Sequence, residues 1–247
     1  MTATTTPISR SITKSVLSKE QTEGVGARVR RSIGCPEIRN LDPFLLLSVP
    51  KNGGFPDHPH RDFETVTYML DGQTHHKDFA GHKGTIGPED LQWMTAGPQD
   101  GVVIKVIAGD SHRLKFQIYT HIPTMFLDFK MDMNQTVTQT ILATYSGFIY
   151  ILSGTAYIGD PKSETEAKAH HTLIFSEDST STVRIQTKDD TAHFVLIAGE
   201  PLREPVVQIG PFVMNTREEV YETYRNYRDG VNGFERRRAR NSDGTPK

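Results

Sequence analysis

The chain has 247 residues, of which 36% are hydrophobic and 23% charged, and its formal net charge is −2. This length predicts one large or two moderate domains, and the near-neutral charge gives no general reason to bind nucleic acid or a membrane surface. No apolar run is long enough to cross a bilayer, and the one cysteine, Cys35, excludes an internal disulfide. The 20 glycines and 14 prolines suit a soluble, turn-rich β protein.

The N-terminal region, residues 1–22, is rich in serine, threonine and basic residues, with no acid before Glu20. That composition predicts a disordered tail, and a transit peptide is the alternative. Residues 24–34 then alternate apolar with basic side chains, which is typical of a half-buried edge strand.

The stretch HPHRDFE contains two histidines, His58 and His60, one residue apart. Side chains of an extended chain alternate between two faces, so these imidazoles share a face, and histidine is the commonest protein metal ligand. Residues 63–70 are rich in β-branched and aromatic types and predict a strand that a hairpin turn at Asp71-Gly72 ends. The sequence therefore places a candidate metal pair at the start of a strand.

Three more histidines, His75, His76 and His82, follow that turn. Exposed loop histidines are the favoured interpretation, and substitute metal ligands are the alternative. Residues 84–90 are turn-rich and precede an apolar run at 91–94, a pattern typical of a small antiparallel barrel.

From residue 114 onward the chain shows short apolar runs separated by turn residues, with breaks at Ser153-Gly154 and Asp160-Pro161. This spacing predicts an all-β sandwich or barrel with strands at 116–119, 141–143, 147–152, 156–159, 171–175, 182–186 and 192–197. His170 and His171 are adjacent and would face opposite ways on a strand, and His193 is interpreted as a satisfied core or rim residue. We assign no metal to this half.

A helix is predicted after Thr216, because a threonine followed three residues later by Glu219 forms a capping box, and Gly230 would end it. The tail 236–247 opens with the basic run RRRAR. A solvated tail is the favoured interpretation, and a nuclear-import or nucleic-acid patch is the alternative.

The motifs FPDHPHR, FETVTYMLDG, HKGTIGP, QWMTAG and, much later, GPFVMN resemble the pirin family of double cupins, in the family's order. The resemblance runs from about residue 29 to residue 234. It implies an all-β fold of two tandem cupin (jelly-roll) barrels with a short C-terminal helix. The implied domains are an N-terminal cupin at 23–112 and a C-terminal cupin at 113–235.

The same resemblance implies one metal, usually iron, held in the N-terminal barrel by three histidines and one glutamate. His58 and His60 match the first two ligands. The other two belong to a segment reading like GIVHSE after QWMTAG, but here Gly97 is followed at once by PQDGVVIKVIAG. This implies an internal deletion after Gly97, an incomplete N-terminal barrel and half of a site for Fe(II) or another divalent transition metal. In cupins generally a Glu four residues after the second His is often a ligand, and the even spacing makes Glu64 a candidate substitute.

The resemblance further implies a quercetin 2,3-dioxygenase-type enzyme acting on a flavonol-like small molecule. With half of its ligands, we expect activity to be low or absent. Two alternatives remain: a non-catalytic nuclear cofactor that contacts a transcription regulator, and a shortened pirin product that folds poorly in its N-terminal half. We expect a monomer in the cytoplasm and/or nucleus, with no membrane and no direct nucleic-acid partner.

Overall fold

The computed structural model of the protein describes residues 9–23, 25–54, 61, 63–77, 83–87, 94–99, 101–111, 114–116 and 120–235. In these ranges the chain forms antiparallel strands, loops and one helix, which confirms the all-β prediction. The elements are β1 (Ile12–Leu17), β2 (Glu20–Glu23), β3 (Val25–Ile33), β4 (Leu47–Gly54), β5 (Thr74–Lys77), β6 (Lys83–Ile86), β7 (Met94–Gln99), β8 (Val102–Ser111), β9 (Leu114–Phe116), β10 (Thr124–Met131), β11 (Thr136–Thr140), β12 (Ser146–Ile158), β13 (Thr165–Lys168), β14 (His171–Phe175), β15 (Thr182–Gln186), β16 (Ala192–Gly199), β17 (Val207–Ile209), β18 (Phe212–Met214) and α1 (Arg217–Asp229).

The chain divides into two units by its internal contacts. The first contains Met1–Pro56 and Gln92–Arg203, and the second contains Asp57–Leu91 and Glu204–Lys247. Within the first unit, β8 pairs with β10, so the strand before the expected boundary at residues 112 and 113 belongs to the same sheet as the strands that follow it. The extents 23–112 and 113–235 remain predictions.

The main sheet of the first unit has the strand order β1-β14-β12-β16-β10-β8-β7, and β11, β13 and β15 extend it from β12. Alternate residues of these strands fill one apolar core, since strand side chains point to opposite faces in turn. Phe129 and Phe194 stack across β10 and β16 with ring centroids 4.9 Å apart. The predicted strands of this half at 171–175, 182–186 and 192–197 are confirmed.

The N-terminal region is ordered from residue 9, so the prediction of a disordered tail over residues 1–22 is wrong for 9–22; residues 1–8 lie outside the described residues. β1 pairs with β14, and β2 pairs with β3. Long-range pairing orders this segment, and the core contact of Ile12 and the complete burial of Arg10 anchor it. Composition alone gives no information on strand partners that lie more than 150 residues away in the sequence.

The strand predicted at 24–34 is confirmed as β3, but it is the central strand of the sheet β2-β3-β4 rather than an edge. Ala27 and Val29 are buried and Arg28 is exposed, as the alternation of apolar and basic residues predicts. Its basic side chains pair with the acids of β2 instead of facing only water, with Arg28 Nε 2.5 Å from Glu20 Oε1.

Two predicted strands are absent. Residues 63–69 have no regular structure, and Val66 and Leu70 are exposed. Residues 141–143 form a loop after β11, although Ile141 is buried. High β-propensity makes a strand only where another strand pairs with it, because propensity measures packing on a sheet surface.

Two predicted breaks fall inside strands. Ser153 and Gly154 lie within β12, where the register against β16 shifts and Gly154 takes a φ of 75°. Such a β-bulge absorbs a turn-like dipeptide without ending the strand. Residues 84–86 belong to β6, although their glycine and threonine predict a turn.

The helix α1 confirms the prediction at residues 216–230. Thr216 and Glu219 form the reciprocal capping box, and Gly230 ends the helix in the left-handed conformation. At 13 residues α1 is too short to cross a bilayer, and none of the helices in the described ranges is long and apolar enough to do so.

Replacing Ser48 with aspartate is expected to raise the free energy of unfolding by about 1–2 kcal/mol. Arg31 and Ser48 are directly opposed on β3 and β4, and among the described residues Arg31 Nε and Ser48 Oγ are buried without hydrogen-bond partners. A carboxylate at residue 48 gives Nε an acceptor beside the Nη2 that already contacts Glu23. Urea unfolding of Ser48→Asp and the uncharged control Ser48→Asn measures the gain. Equal stability of the two variants would contradict this interpretation.

Replacing Tyr150 with phenylalanine is expected to reduce the loss of stability at alkaline pH. Tyr150 is fully buried, and burial raises the pKa of its hydroxyl from 10.0 to about 12. A phenol whose pKa is raised on folding stabilises the protein fully below about pH 10, and this contribution is lost as the pH rises towards 12. Urea unfolding at pH 8 and pH 11 should show a smaller fall in Tyr150→Phe than in the wild type. An equal fall in the two proteins would show that the alkaline sensitivity comes from a group other than Tyr150.

Candidate metal centre

The predicted ligands His58 and His60 lie outside the described residues, so their role in binding a metal, inferred from their spacing, remains a prediction. Glu64, the candidate substitute, is described and exposed in the irregular segment 63–69. His60 lies outside the described residues, so the choice of Glu64 as a substitute ligand remains a prediction.

The hairpin β5–β6 contains two of the other histidines, His75 and His76, and His82 lies outside the described residues. His75 Nδ1 lies 2.8 Å from Thr85 Oγ1, its direct cross-strand neighbour, and the backbone of His76 pairs with Gly84. His75 therefore has a hydroxyl partner of its own. Within the described ranges, no three His, Cys, Asp or Glu side chains are grouped so that they could hold a metal ion.

The junction after Gly97 forms a direct hairpin. β7 carries the end of the QWMTAG motif and pairs with β8, which carries VVIKVIAG, in the register Met94↔Val106 to Gln99↔Val102. Gly101 has a φ of 86° at the turn, a conformation that favours glycine. On its other side β8 pairs with β10, so this hairpin leads directly into the main sheet.

The histidines of the second half have protein partners. His193 Nε2 donates to Asp128 Oδ1 at 2.7 Å, and Asp128 is 2% exposed, which confirms His193 as a satisfied rim residue. His171 Nδ1 donates to the Lys168 carbonyl at 3.0 Å, whereas His170 lies in the turn before β14 and not on the strand. Sequence reasoning missed Asp128, although a lone acid within the apolar run of β10 was the available signal.

Comparison with known proteins assigns this arrangement of sheets to a class. A family model described as Pirin matches residues 26–116, and one described as Pirin C-terminal cupin domain matches residues 126–233. The chain is thus a double cupin, as the resemblance implies. It belongs to the pirin family: human Pirin is 45% identical over 279 aligned positions, which cover 92% of this chain and 96% of that protein.

Other relatives agree with this assignment. The Pirin-like protein of Solanum lycopersicum is 42% identical, covering 93% of this chain and 95% of that protein. Among solved structures, a quercetin 2,3-dioxygenase from Acinetobacter baumannii has a TM-score of 0.80 at 23% identity, covering 90% of this chain and 98% of the other. The bacterial pirin YhhW of Escherichia coli, in complex with nickel(II), has a TM-score of 0.54 at 14% identity, covering 76% and 99%. These two structures support the fold alone.

The alignment with human Pirin is longer than this chain. It has 279 positions, more than the 247 residues of the whole chain. Some residues of the human protein are therefore aligned with gaps in this chain.

Proposed function

We propose that this chain is a pirin-type double cupin with an incomplete metal site, and that it has little or no quercetin 2,3-dioxygenase activity. The observation that carries the proposal is the β7–β8 hairpin, which joins QWMTAG directly to the next motif. In the family pattern, the residues between these motifs supply the third histidine and the glutamate. The alignment with human Pirin is longer than this chain and therefore places gaps in it, and we assign one of these gaps to this junction.

The metal implied by the family is a divalent transition metal, with iron from the resemblance and nickel(II) in the bacterial pirin YhhW. His58 and His60 are the two proposed ligands. Stable iron sites of this kind use two histidines together with at least one carboxylate. The described residues do not fit such a set of ligands, because Glu64 is exposed in an irregular segment and His75 is hydrogen-bonded to Thr85. We therefore derive no catalytic step through a metal.

Oxygen consumption with quercetin tests the proposal. The purified chain is supplied with Fe(II) or Ni(II), and the quercetin 2,3-dioxygenase of Acinetobacter baumannii serves as the active reference. We expect a rate at least about 100-fold below that reference, because loss of a metal's supporting groups alone costs about 10–100-fold. A rate within tenfold of the reference would contradict the proposal.

The double variant His58→Ala, His60→Ala is the matched control for any residual activity. If the two histidines hold the metal, residual turnover disappears in this variant, whereas His75→Ala leaves it unchanged. Thermal unfolding is recorded in parallel, because a broad, non-cooperative transition would indicate the alternative of a shortened product with a poorly folded first barrel.

A second candidate function is a non-catalytic interaction role with a transcription regulator, in the nucleus or cytoplasm. We expect a chelator to leave the melting temperature unchanged and sedimentation to show a monomer. A chelator-induced fall in melting temperature would count against this role.

A further inference from the structure

The corner between β1 and β2 is held by a polar contact at His170. The Ser18 amide donates to the His170 carbonyl at 2.8 Å, and Arg30 Nη1 donates to the Ser18 carbonyl at 3.0 Å. On its other side, His170 Nδ1 lies 3.4 Å from the hydroxyl of Tyr150, which is wholly buried. His170 thus joins the N-terminal corner to the strands of the main sheet.

The backbone fixes the position of this histidine. His170 has a φ of 70°, in the left-handed region, and its amide donates to the Ile151 carbonyl at 2.7 Å. A left-handed non-glycine residue is strained, so the surrounding contacts hold it there. The backbone of His170 is therefore held in place when the charge of its imidazole changes.

The charges that face His170 are mostly positive. Arg30 on β3, Lys51 on β4 and His171 on β14 oppose a proton on the ring, and Glu20 on β2 favours it. Glu20 is already engaged, at 2.5 Å from Arg28 and 3.5 Å from Arg30. Burial, foremost, and then the neighbouring cations lower the pKa of His170 below 6.5.

Protonation also changes the hydrogen bond inside the sheet. In the neutral tautomer with an unprotonated Nδ1, His170 accepts from the Tyr150 hydroxyl; the imidazolium has donors on both nitrogens. Tyr150 stays neutral in acid, since burial raises its pKa to about 12. The buried hydroxyl then has to reverse its role beside a new positive charge.

We propose that His170 is an acid-sensitive latch, which in its neutral form joins the β1–β2 corner to the main sheet and on protonation releases that corner. A histidine whose pKa is lowered on folding contributes its stability above about pH 6.5, and this contribution is lost as the pH falls through the folded-state value. The segment released is the corner at residues 18 and 19, because Ser18 is its contact with His170, whereas β1 and β2 stay paired with β14 and β3.

Amide hydrogen exchange measured by NMR tests the latch in the full chain. Between pH 7 and pH 5 we expect the protection factor of the Ser18 amide to fall, because the imidazole binds a proton more readily once the corner is open. Amides of β16 should keep their protection. In His170→Asn the Ser18 protection should stay constant, because asparagine tolerates a positive φ and does not titrate.

His171→Asn is the matched control, one residue away on the strand, and it should retain the wild-type fall. An equal fall in His170→Asn, or its disappearance in His171→Asn alone, would overturn the proposal. Constant protection of the wild-type Ser18 amide from pH 7 to pH 5 would overturn it directly.

Discussion

Replacing Arg10 with methionine is expected to lower the free energy of unfolding by about 3 kcal/mol or more, because each buried carbonyl group that loses its donor costs about 1–3 kcal/mol. Arg10 is fully buried, and its guanidinium donates to three carbonyl oxygens: Thr180 at 2.7 Å, Tyr145 at 2.8 Å and Leu142 at 2.8 Å. Methionine keeps much of the side chain's length but removes every donor. The carbonyl groups of two loops then lose these buried partners.

The effect should extend to the N-terminal segment. The Arg10 amide also donates to the Thr182 carbonyl at 2.8 Å, so Arg10 attaches the start of β1 to the loop before β15. Urea unfolding measures the loss, and Arg228→Met on the exposed face of α1 is the control, expected to change stability by less than about 0.5 kcal/mol. Equal effects of the two substitutions would contradict the anchoring role of Arg10.

The substitution Gly154→Ala is expected to destabilise the protein by about 3 kcal/mol or more. Gly154 has a φ of 75°, and a Cβ there would overlap the carbonyl oxygen of Thr191. Backbone, unlike the end of a flexible side chain, cannot move aside without breaking the pairing of β12 with β16. That pairing lies beside the core, next to the bulge at Ser153.

Gly26→Ala is the matched control. Gly26 has the same φ of 75°, but a Cβ there meets nothing within 4 Å, so only the conformational strain of about 1–2 kcal/mol applies. The difference between the two variants, read from urea unfolding, isolates the steric part. Equal losses would show that the contact with Thr191 relaxes freely.

Much of the second half of the fold could be predicted from sequence. The strands at 171–175, 182–186 and 192–197 have local signatures, namely short β-branched runs between turn residues. The helix begins after Thr216 and ends at Gly230, and each end is determined by residues within one turn of it. The capping box is therefore visible in the sequence.

The N-terminal strand and the segment 63–69 could not be predicted, because both depend on distant partners. Half of the residues in β1 are polar, and its order comes from β14 and from carbonyl groups far along the chain. Residues 63–69 have strong β-propensity without forming a strand. Strand formation is decided by pairing, and single-sequence propensity contains no information on whether a partner is present.

The candidate site shows the same contrast between local sequence signals and long-range contacts. The pair His58 and His60 is predicted from local spacing, and the missing segment after Gly97 is implied by the resemblance to the family. The partnership of His193 with Asp128 joins residues 65 positions apart and required the register of β10 against β16.

Metal content tests the central claim most directly. The purified chain is loaded anaerobically with Fe(II), desalted and compared with a variant that carries, between Gly97 and Pro98, the GIVHSE segment that the family resemblance implies there. We expect the chain to retain well under one equivalent of iron and the variant to retain close to one. A chain that alone retains one tightly bound equivalent would contradict the claim that its metal site is incomplete.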